Sequence, residues 1–240
     1  MKSLGADELD LTGDIIERRM RLRDVQLKTE RENREKEVPV RYKFLTVTRD
    51  GGSLADEIVR ELAARLSWHV FDREIVNHIA EHSHVRENLV RQLDERSQGL
   101  IHDAILRMLR MPEYPSFGTE EYQAALLKTL AYISTQGNAV LVGRGANFAL
   151  RAEKDGLNVR LAGSLEVRAM RIAERLKLTP EAARDRIRSE DQERRKFIQQ
   201  YFRQDIDDVR YYDLMFNTDR LSVEEVVSSI MAVLRRPRLL

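Results

Sequence analysis

The chain has 240 residues, with 41 basic and 40 acidic side chains and a formal net charge of +1. This balance gives no overall electrostatic field that would favour nucleic acid or an anionic membrane as a partner. The absence of cysteine excludes disulfides, thiol catalysis and cysteine-ligated metal, and with no membrane-spanning apolar run and no secretory leader we expect a cytoplasmic protein.

The N-terminal segment predicts a helical arm, which we place at residues 1–40, ahead of a domain over residues 41–240. Residues 14–37 are dense in mixed charge and contain neither Gly nor Pro, and a thin apolar stripe at helical spacing begins at Ile16. Pro39 ends the segment. The stripe fits a solvated helix folded against the domain, or an arm that binds a second copy of the chain or a partner protein.

The segment from Phe44 to Leu66 organises the rest of the chain. Its first residues are β-prone, the run 50–53 (Asp-Gly-Gly-Ser) interrupts them, and from Leu54 onward apolar residues recur at helical spacing. A strand, a glycine-rich turn and a helix can hold phosphate, because free backbone N–H groups and the positive end of the helix dipole point at one place. The same order also begins ordinary βαβ units, so both interpretations stay open.

The turn departs from the phosphate-binding sequence G-x-x-x-x-G-K-[ST]. Leu54, Ala55 and Asp56 follow the glycines, so the lysine is missing and a carboxylate stands where the lysine or the hydroxyl should be. An unpaired carboxylate about 4 Å from a phosphate charge costs roughly 4 kcal/mol at an effective dielectric of about 20, which is about a thousandfold in affinity. A magnesium ion between the two groups would remove that penalty.

A second strand is predicted over residues 68–73. Because residues just past the carboxyl end of a parallel strand face the ligand crevice, Asp72 and Arg73 are candidates to bind a substrate. Alternatively, Asp72 is an ordinary helix N-cap. Residues 74–135 then predict a helical insertion over the crevice. Three closely spaced histidines in this insertion lack the carboxylates that would complete a ligand set, so we assign no metal ligands.

Two further strands are predicted, over residues 138–144 and 157–162. The first is apolar throughout, as a buried parallel strand should be, and it runs into Arg144 between Gly143 and Gly145. An arginine at this place can present its planar guanidinium to a phosphate or a carboxylate. A structural salt bridge explains it equally well.

Residues 165–203 contain the densest set of basic side chains, interleaved with acidic ones. A pair of solvated, charge-laced helices is the default interpretation, and the functional alternative is a mobile lid whose arginines close on a polyphosphate. A last strand over 212–217 and a helix over 222–235 with a capping-box start follow. The repeated strand–helix order predicts an α/β fold with a doubly wound parallel sheet.

Five stretches, in this order along the chain, resemble the cytidylate kinase-like family, a branch of the nucleoside monophosphate kinases with the P-loop fold. They are Thr48–Ser53 with Glu57-Ile58, Phe71–Glu74, Val142–Ala146, Leu161–Ala169, and Tyr212–Leu214 with Asn217-Thr218. The resemblance covers about residues 43–234 and implies the fold of that family, with a helical insertion on the acceptor side at about 74–135 and a lid at about 165–203.

The resemblance also implies an activity, namely transfer of the γ-phosphoryl group of ATP, bound with Mg²⁺, to CMP or a related monophosphate. It implies that the donor nucleotide is bound by Arg49, Gly51, Gly52, Ser53 and Asp56. It implies that the acceptor nucleotide is held by Asp72, Arg73 and Arg144. The catalytic lid residues would be Arg188, Arg194 and Arg195, with Asp191 as the carboxylate that orients them.

The departures in the turn leave a second function open. Members of this family have two glycines and an arginine where this chain has Leu54, Ala55 and Asp56, and both the added bulk and the added negative charge disfavour ATP. The alternative is a catalytically inactive pseudokinase that senses nucleotide or serves as a scaffold and acts through its N-terminal arm.

Overall fold

The computed structural model describes residues 42–72 and 119–235, all of which belong to the unit Val40–Leu240. The predicted arm, Arg73 and most of the predicted helical insertion, including its three histidines, lie outside these residues. None of the helices in the described part is long and apolar enough to cross a membrane.

Five parallel strands form a single sheet. They are β1 (Phe44–Arg49), β2 (His69–Phe71), β3 (Ala139–Val142), β4 (Gly156–Ala162) and β5 (Leu214–Asn217). Their spatial order is β2-β3-β1-β4-β5, so β1 lies at the centre, and Val47 pairs with Val142 on one side and Val159 on the other. This order confirms the predicted α/β fold with a doubly wound parallel sheet.

Six helices and one short 3₁₀ segment accompany the described strands, and the last helix follows β5. The helices are α1 (Ala55–Leu66), α2 (Thr119–Gln136), α3 (Ala146–Ala149), α4 (Leu165–Leu176), α5 (Pro180–Phe202) and α6 (Val223–Leu234), with the 3₁₀ segment at Val209–Tyr211. Side chains of β1 alternate between the two faces of the sheet. Val47 enters the main apolar core together with α1 and α6, whereas Thr48 donates a hydrogen bond to Asn147 of α3.

The helix starts follow from capping residues that the sequence shows. Ser164 and Thr179 each accept a hydrogen bond from a backbone N–H in the first turn of the helix that follows, and Pro180 occupies the first position of α5. Ser222 and Glu225 form both bonds of a capping box at the start of α6. The predicted capping-box start of α6 is thus confirmed.

Helix α5 is anchored by apolar packing towards both of its ends. Near its start, Ala183 and Ile187 pack against Ile172 of α4, and at its end Phe202 packs against Phe148 of α3. Its middle turns are thereby held against the turn that follows β1. The side chains of those middle turns form much of the site described next.

Candidate functional site

The turn at residues 50–54 between β1 and α1 is tightly packed. Gly52 has a φ of 77°, and a Cβ there would lie 2.9 Å from the carbonyl oxygen of Arg168, so this position requires glycine. Leu54, the N-cap of α1, also has a left-handed backbone, with φ 58°. Its side chain packs against the main apolar core. A branched residue therefore occupies a conformation that glycine adopts more readily.

Two helices clamp the peptide groups of Gly51. The Gly51 N–H donates to Asp191 Oδ1 of α5 at 2.9 Å, and the Gly51 carbonyl accepts from Arg168 Nη1 of α4 at 3.0 Å. The same Arg168 Nη1 donates to Asp191 Oδ2 at 2.7 Å, and Arg168 Nε donates to the carbonyl of Gly163. Arg168 and Asp191 are both buried. This buried, hydrogen-bonded ion pair fixes the turn to α4 and α5.

Asp50, at the start of the turn, is neutralised by a second ion-pair network. Arg160 of β4 donates from Nη2 to Asp50 Oδ1 at 2.6 Å and to Asp207 Oδ1 at 2.9 Å, and Arg195 donates to Asp207 Oδ2 at 2.8 Å. Burial alone would raise the pKa of the Asp207 carboxyl. The hydrogen bonds and positive charges of Arg195 and Arg160 outweigh it and hold that pKa below its ordinary value.

A cleft of about 180 Å³ opens beside the turn. The end of β1, the turn and the start of α1 line it with residues 49–57, and α4 and α5 line it with Ile172, Arg175, Arg186, Glu190 and Arg194. The N-terminus of the 12-residue helix α1 adds the positive end of its dipole to this cleft. We refer to it as the donor cleft, after the expectation from the sequence that a donor nucleotide binds there.

The arginines that α4 and α5 contribute to the donor cleft are paired with carboxylates. Arg175 Nη1 lies 3.5 Å from Asp56 Oδ2 across an exposed gap. Glu190 accepts from Arg186 Nε at 2.9 Å and from Arg194 Nη2 at 3.1 Å. A bound anion must therefore compete with the chain's own carboxylates for these guanidinium groups.

A larger cavity of about 680 Å³ adjoins the donor cleft at the carboxyl ends of β1, β2 and β3. It is lined by Thr48, Arg49, Asp72, Val142, Gly143, Arg144, Gly145, Glu190, Glu193, Arg194, Phe197, Ile198 and Ile206. Arg49, Glu190 and Arg194 also line the donor cleft, so the two spaces share a wall. We refer to the larger space as the acceptor cavity, after the expectation that Asp72 and Arg144 bind an acceptor nucleotide.

Arg144 enters the acceptor cavity from a tight left-handed turn. Its φ is 51°, between Gly143 at 76° and Gly145 at 67°. A Cβ on Gly145 would lie 2.1 Å from the ring of Phe202, so that residue must be glycine. The Arg144 guanidinium carbon lies 4.6 Å from the ring centroid of Phe197, within the range of a cation–π contact.

Most residues proposed from the sequence meet around these two spaces. Arg49, Gly51, Gly52, Ser53 and Asp56 line the donor cleft, Asp72 and Arg144 line the acceptor cavity, and Arg194 lines both. Asp191 lies behind the turn and holds Gly51. Arg188 is exposed beside Asp185, and Arg195 binds Asp207, so neither lines the two spaces. Arg73 is outside the described residues, and the role of each of these residues stays a prediction.

Sequence reasoning missed several residues of the site. Arg175 and Arg186 line the donor cleft beside Arg49, and neither was among the residues proposed from the sequence. The spacing of Arg186, Glu190 and Arg194 by four residues places all three on one face of a helix, and this signal was present in the sequence. The contact between Phe197 and Arg144 had no comparable signal.

The sequence profile described as "Cytidylate kinase-like family" matches residues 44–220 of this chain. Two curated relatives are named cytidylate kinase. The one from Methanocaldococcus jannaschii is 31% identical over 104 residues, covering 42% of this chain and 58% of the relative. The one from Methanopyrus kandleri is 33% identical over 107 residues, covering 41% of this chain and 55% of the relative. The matches thus span little more than half the length of these relatives.

Among solved structures, an uncharacterized protein from Eubacterium ventriosum superimposes with a TM-score of 0.62. The superposition covers 80% of this chain and 97% of the other, at 14% sequence identity. At that identity the similarity shows a shared fold.

Proposed function

The chain belongs to the cytidylate kinase-like family, and from that premise we propose that it transfers the γ-phosphoryl group of ATP to CMP or a related nucleoside monophosphate. The observation that carries this proposal is the pair of adjoining spaces that share Arg49, Glu190 and Arg194. Phosphoryl transfer needs positioning and charge stabilisation more than covalent participation by the protein. Two nucleotide sites that meet at a guanidinium group supply both.

The donor cleft suits the phosphates of ATP on electrostatic grounds. The first turn of α1 presents backbone N–H groups without intrahelical partners, and these favour an anion. Arg175, Arg186 and Arg194 supply positive charge to the same cleft. Asp56 and Glu190, the partners of Arg175 and Arg186, are largely and partly exposed, so exchanging them for phosphate oxygens costs little. Arg194 is paired with Glu190 as well, and also donates to the buried Asp191 at 2.9 Å.

The acceptor cavity suits a nucleoside monophosphate in size and in charge. Its volume of about 680 Å³ lies within the usual range of roughly 300–1,000 Å³ for small-molecule sites. Arg144 and Arg194 bring two guanidinium groups to bind a phosphate, while Asp72 and Glu193 offer acceptors for the hydroxyl and amino groups of a nucleoside.

Magnesium is the ion that a kinase of this kind would bind, and Asp56 is the residue that fits it. The described residues contain no group of three or more side chains that could hold a metal by themselves. Magnesium needs only one or two carboxylates when nucleotide phosphates supply the other ligands. Asp56 lines the donor cleft and is largely exposed. The ion would neutralise charge on the phosphate oxygens.

Asp56→Asn tests this assignment. We expect the variant to need about tenfold more Mg²⁺ for half-maximal ATP binding, because a carboxylate ligand is lost. Binding of ATP without Mg²⁺ should become tighter, because a negative charge leaves the cleft. Titration calorimetry with and without Mg²⁺ measures both. Asp185→Asn, an exposed carboxylate on α5, serves as the control. An equal change in both conditions would contradict a role in metal binding.

A second function, nucleotide binding without turnover, has two observations in its favour. Leu54 holds a left-handed conformation beside the phosphate site, and the cleft arginines already have carboxylate partners. Such a pseudokinase would sense nucleotide and act through residues 14–37.

The full chain incubated with Mg²⁺, ATP and each common nucleoside monophosphate distinguishes the two functions. We expect CDP or dCDP as product. Arg194→Ala should lower kcat by about a thousandfold, because it removes positive charge between the two nucleotides. Arg184→Ala is the matched control, because this arginine lies on the same helix, paired with Glu181 and outside both spaces. Binding without product would support the pseudokinase, and neither binding nor product would overturn both functions.

A further inference from the structure

Arg168 of α4 lies behind the turn that forms one wall of the donor cleft. It is buried, does not line that cleft, and donates from Nη1 to the Gly51 carbonyl at 3.0 Å. We propose that Arg168 is the positioning residue that orients the peptide group between Gly51 and Gly52, so that the Gly52 N–H is directed at a phosphate of the donor nucleotide. This inference rests on the proposed function, because it assumes that the phosphates of ATP bind at the turn.

The geometry of the peptide group links Arg168 to the cleft. The peptide bond between Gly51 and Gly52 is trans, so the Gly51 carbonyl and the Gly52 N–H point in opposite directions. Because the carbonyl is held on Arg168, the N–H is directed away from Arg168. Both glycines line the donor cleft. Among the described residues, no group accepts a hydrogen bond from the Gly52 N–H. A phosphate oxygen in the cleft would supply that acceptor.

The guanidinium group of Arg168 is itself fixed by two further partners. Nε donates to the carbonyl of Gly163 at 2.8 Å, and Nη1 donates to Asp191 Oδ2 at 2.7 Å. Asp191 Oδ1 in turn accepts from the Gly51 N–H, so the peptide groups on both sides of Gly51 are held. The orientation of the Gly52 N–H therefore exists before a ligand arrives, and binding does not have to supply the free energy of ordering it.

Two features of the turn make this orientation important for a phosphate. No lysine follows the glycines, so a phosphate depends more on backbone N–H groups than it does in a turn that has the lysine. The backbone of α4 also contacts Gly52 directly, since a Cβ on Gly52 would lie 2.9 Å from the carbonyl oxygen of Arg168. The side chain and the backbone of Arg168 thus hold the same peptide group.

A single amide signal reports on this peptide group. Residues 51 and 52 are the only two consecutive glycines in the chain. When glycine is labelled with ¹³C at its carbonyl carbon and with ¹⁵N, a triple-resonance spectrum that selects bonded pairs of the two labels shows the Gly52 amide alone. The carbonyl frequency in this spectrum reports the bond from Arg168, and the proton frequency reports a bond to phosphate. The full chain is titrated with inorganic tripolyphosphate and with ATP, each with Mg²⁺, and both affinities are measured by calorimetry.

In the wild-type protein, we expect both ligands to move the Gly52 amide proton downfield, because a hydrogen bond to a phosphate oxygen deshields it. Arg168→Met should change the Gly51 carbonyl frequency and abolish that movement of the Gly52 proton. It should also weaken binding of tripolyphosphate about tenfold, which is the effect of losing about one hydrogen bond to a charged group. Arg168→Lys, which keeps the positive charge beside Asp191 but not the forked geometry, should change the signals in the same direction.

Arg171→Met is the matched control. Arg171 lies on the same helix, donates to the backbone carbonyl of Thr218 at 2.6 Å and lines neither of the two spaces. Its substitution should leave the Gly52 signal and the affinity for tripolyphosphate unchanged.

Two results would overturn the inference. One is a Gly52 amide proton that does not move when tripolyphosphate binds to the wild-type protein, a result that needs no variant to fold. The other is an undiminished movement and affinity in Arg168→Met. Product formation by a wild-type protein whose Gly52 signal does not move would overturn the inference alone. A Gly52 signal that moves without product from any monophosphate would overturn the proposed function alone, and no binding of either ligand would overturn both.

Discussion

Leu54 places a branched side chain where the backbone has the left-handed conformation, at the wall of the donor cleft. We predict that Leu54→Gly tightens ATP binding about tenfold, because glycine adopts this conformation without strain and opens the cleft. Calorimetric titration with ATP and Mg²⁺ measures the change. Ser67→Gly is the matched control, since Ser67 has φ 53° at the other end of α1. The Ser67→Gly variant should have a higher Tm and an unchanged affinity for ATP. An unchanged ATP affinity in Leu54→Gly would contradict the prediction.

Asp207 makes the stability of the fold depend on pH. Its pKa is lower in the folded protein than the ordinary value of about 4, because Arg195 and Arg160 bind the carboxylate. A carboxyl whose pKa falls on folding stabilises the fold at pH values above its ordinary pKa. This stabilisation is lost as the pH falls through the pKa that the carboxyl has in the folded protein. We predict that the difference in Tm between wild type and Asp207→Asn is largest near neutral pH and shrinks below about pH 4. Thermal unfolding from pH 7 to pH 3 measures this difference in Tm, with Asp185→Asn as the control. A difference in Tm that does not change with pH would contradict the prediction.

At the scale of elements, the buried pair of Arg168 and Asp191 joins α4, α5 and the turn. We predict that Asp191→Leu lowers the free energy of unfolding by about 3–5 kcal/mol, because it leaves a buried guanidinium without its carboxylate. In the double variant with Arg168→Met, the loss of unfolding free energy should be smaller than the sum of the two single losses. The reason is that Arg168→Met removes the buried guanidinium that Asp191→Leu leaves without its carboxylate. Urea unfolding of the four proteins gives the coupling energy.

The exposed pair of Arg188 and Asp185 on α5 provides the matched cycle for that measurement. Its coupling energy should lie near zero, because solvent screens an exposed pair. Equal coupling in the two cycles would show that the Arg168–Asp191 pair does not hold the turn.

The strands and helix starts could be predicted because their causes are local. Ser164, Thr179 and Ser222 each bond to a backbone group three residues away, and apolar runs mark the strands. The hydrogen bonds between Gly51 and its partners Arg168 and Asp191 could not be predicted, because these partners lie 117 and 140 residues further along the chain. For the same reason the sequence pointed to the turn, to Arg144 and to Arg194, but not to Arg175 and Arg186 in the donor cleft or to the Phe197 ring beside Arg144.

At the scale of the whole molecule, the sequence separates the predicted arm from the part that matches the family. The described residues that line the two spaces all lie after residue 47, and the family match begins at residue 44. We predict that deleting residues 1–38 lowers the oligomeric mass of the protein and leaves phosphoryl transfer unchanged. Analytical ultracentrifugation and the CMP assay measure the two effects. An unchanged mass would exclude an arm that binds a second copy, and lost transfer would show that the arm takes part in the reaction.

The wall formed by Arg194 and Glu190 between the two spaces has a thermodynamic consequence. A ligand in one space that moves Arg194 or Glu190 changes the surface that a ligand contacts in the other space. The affinities of the two ligands are therefore coupled. Such coupling is reciprocal: the factor by which the first ligand changes the affinity of the second is the factor by which the second changes that of the first. The total free energy of binding both ligands is therefore the same for either order of binding, although the two singly bound states need not be equally populated.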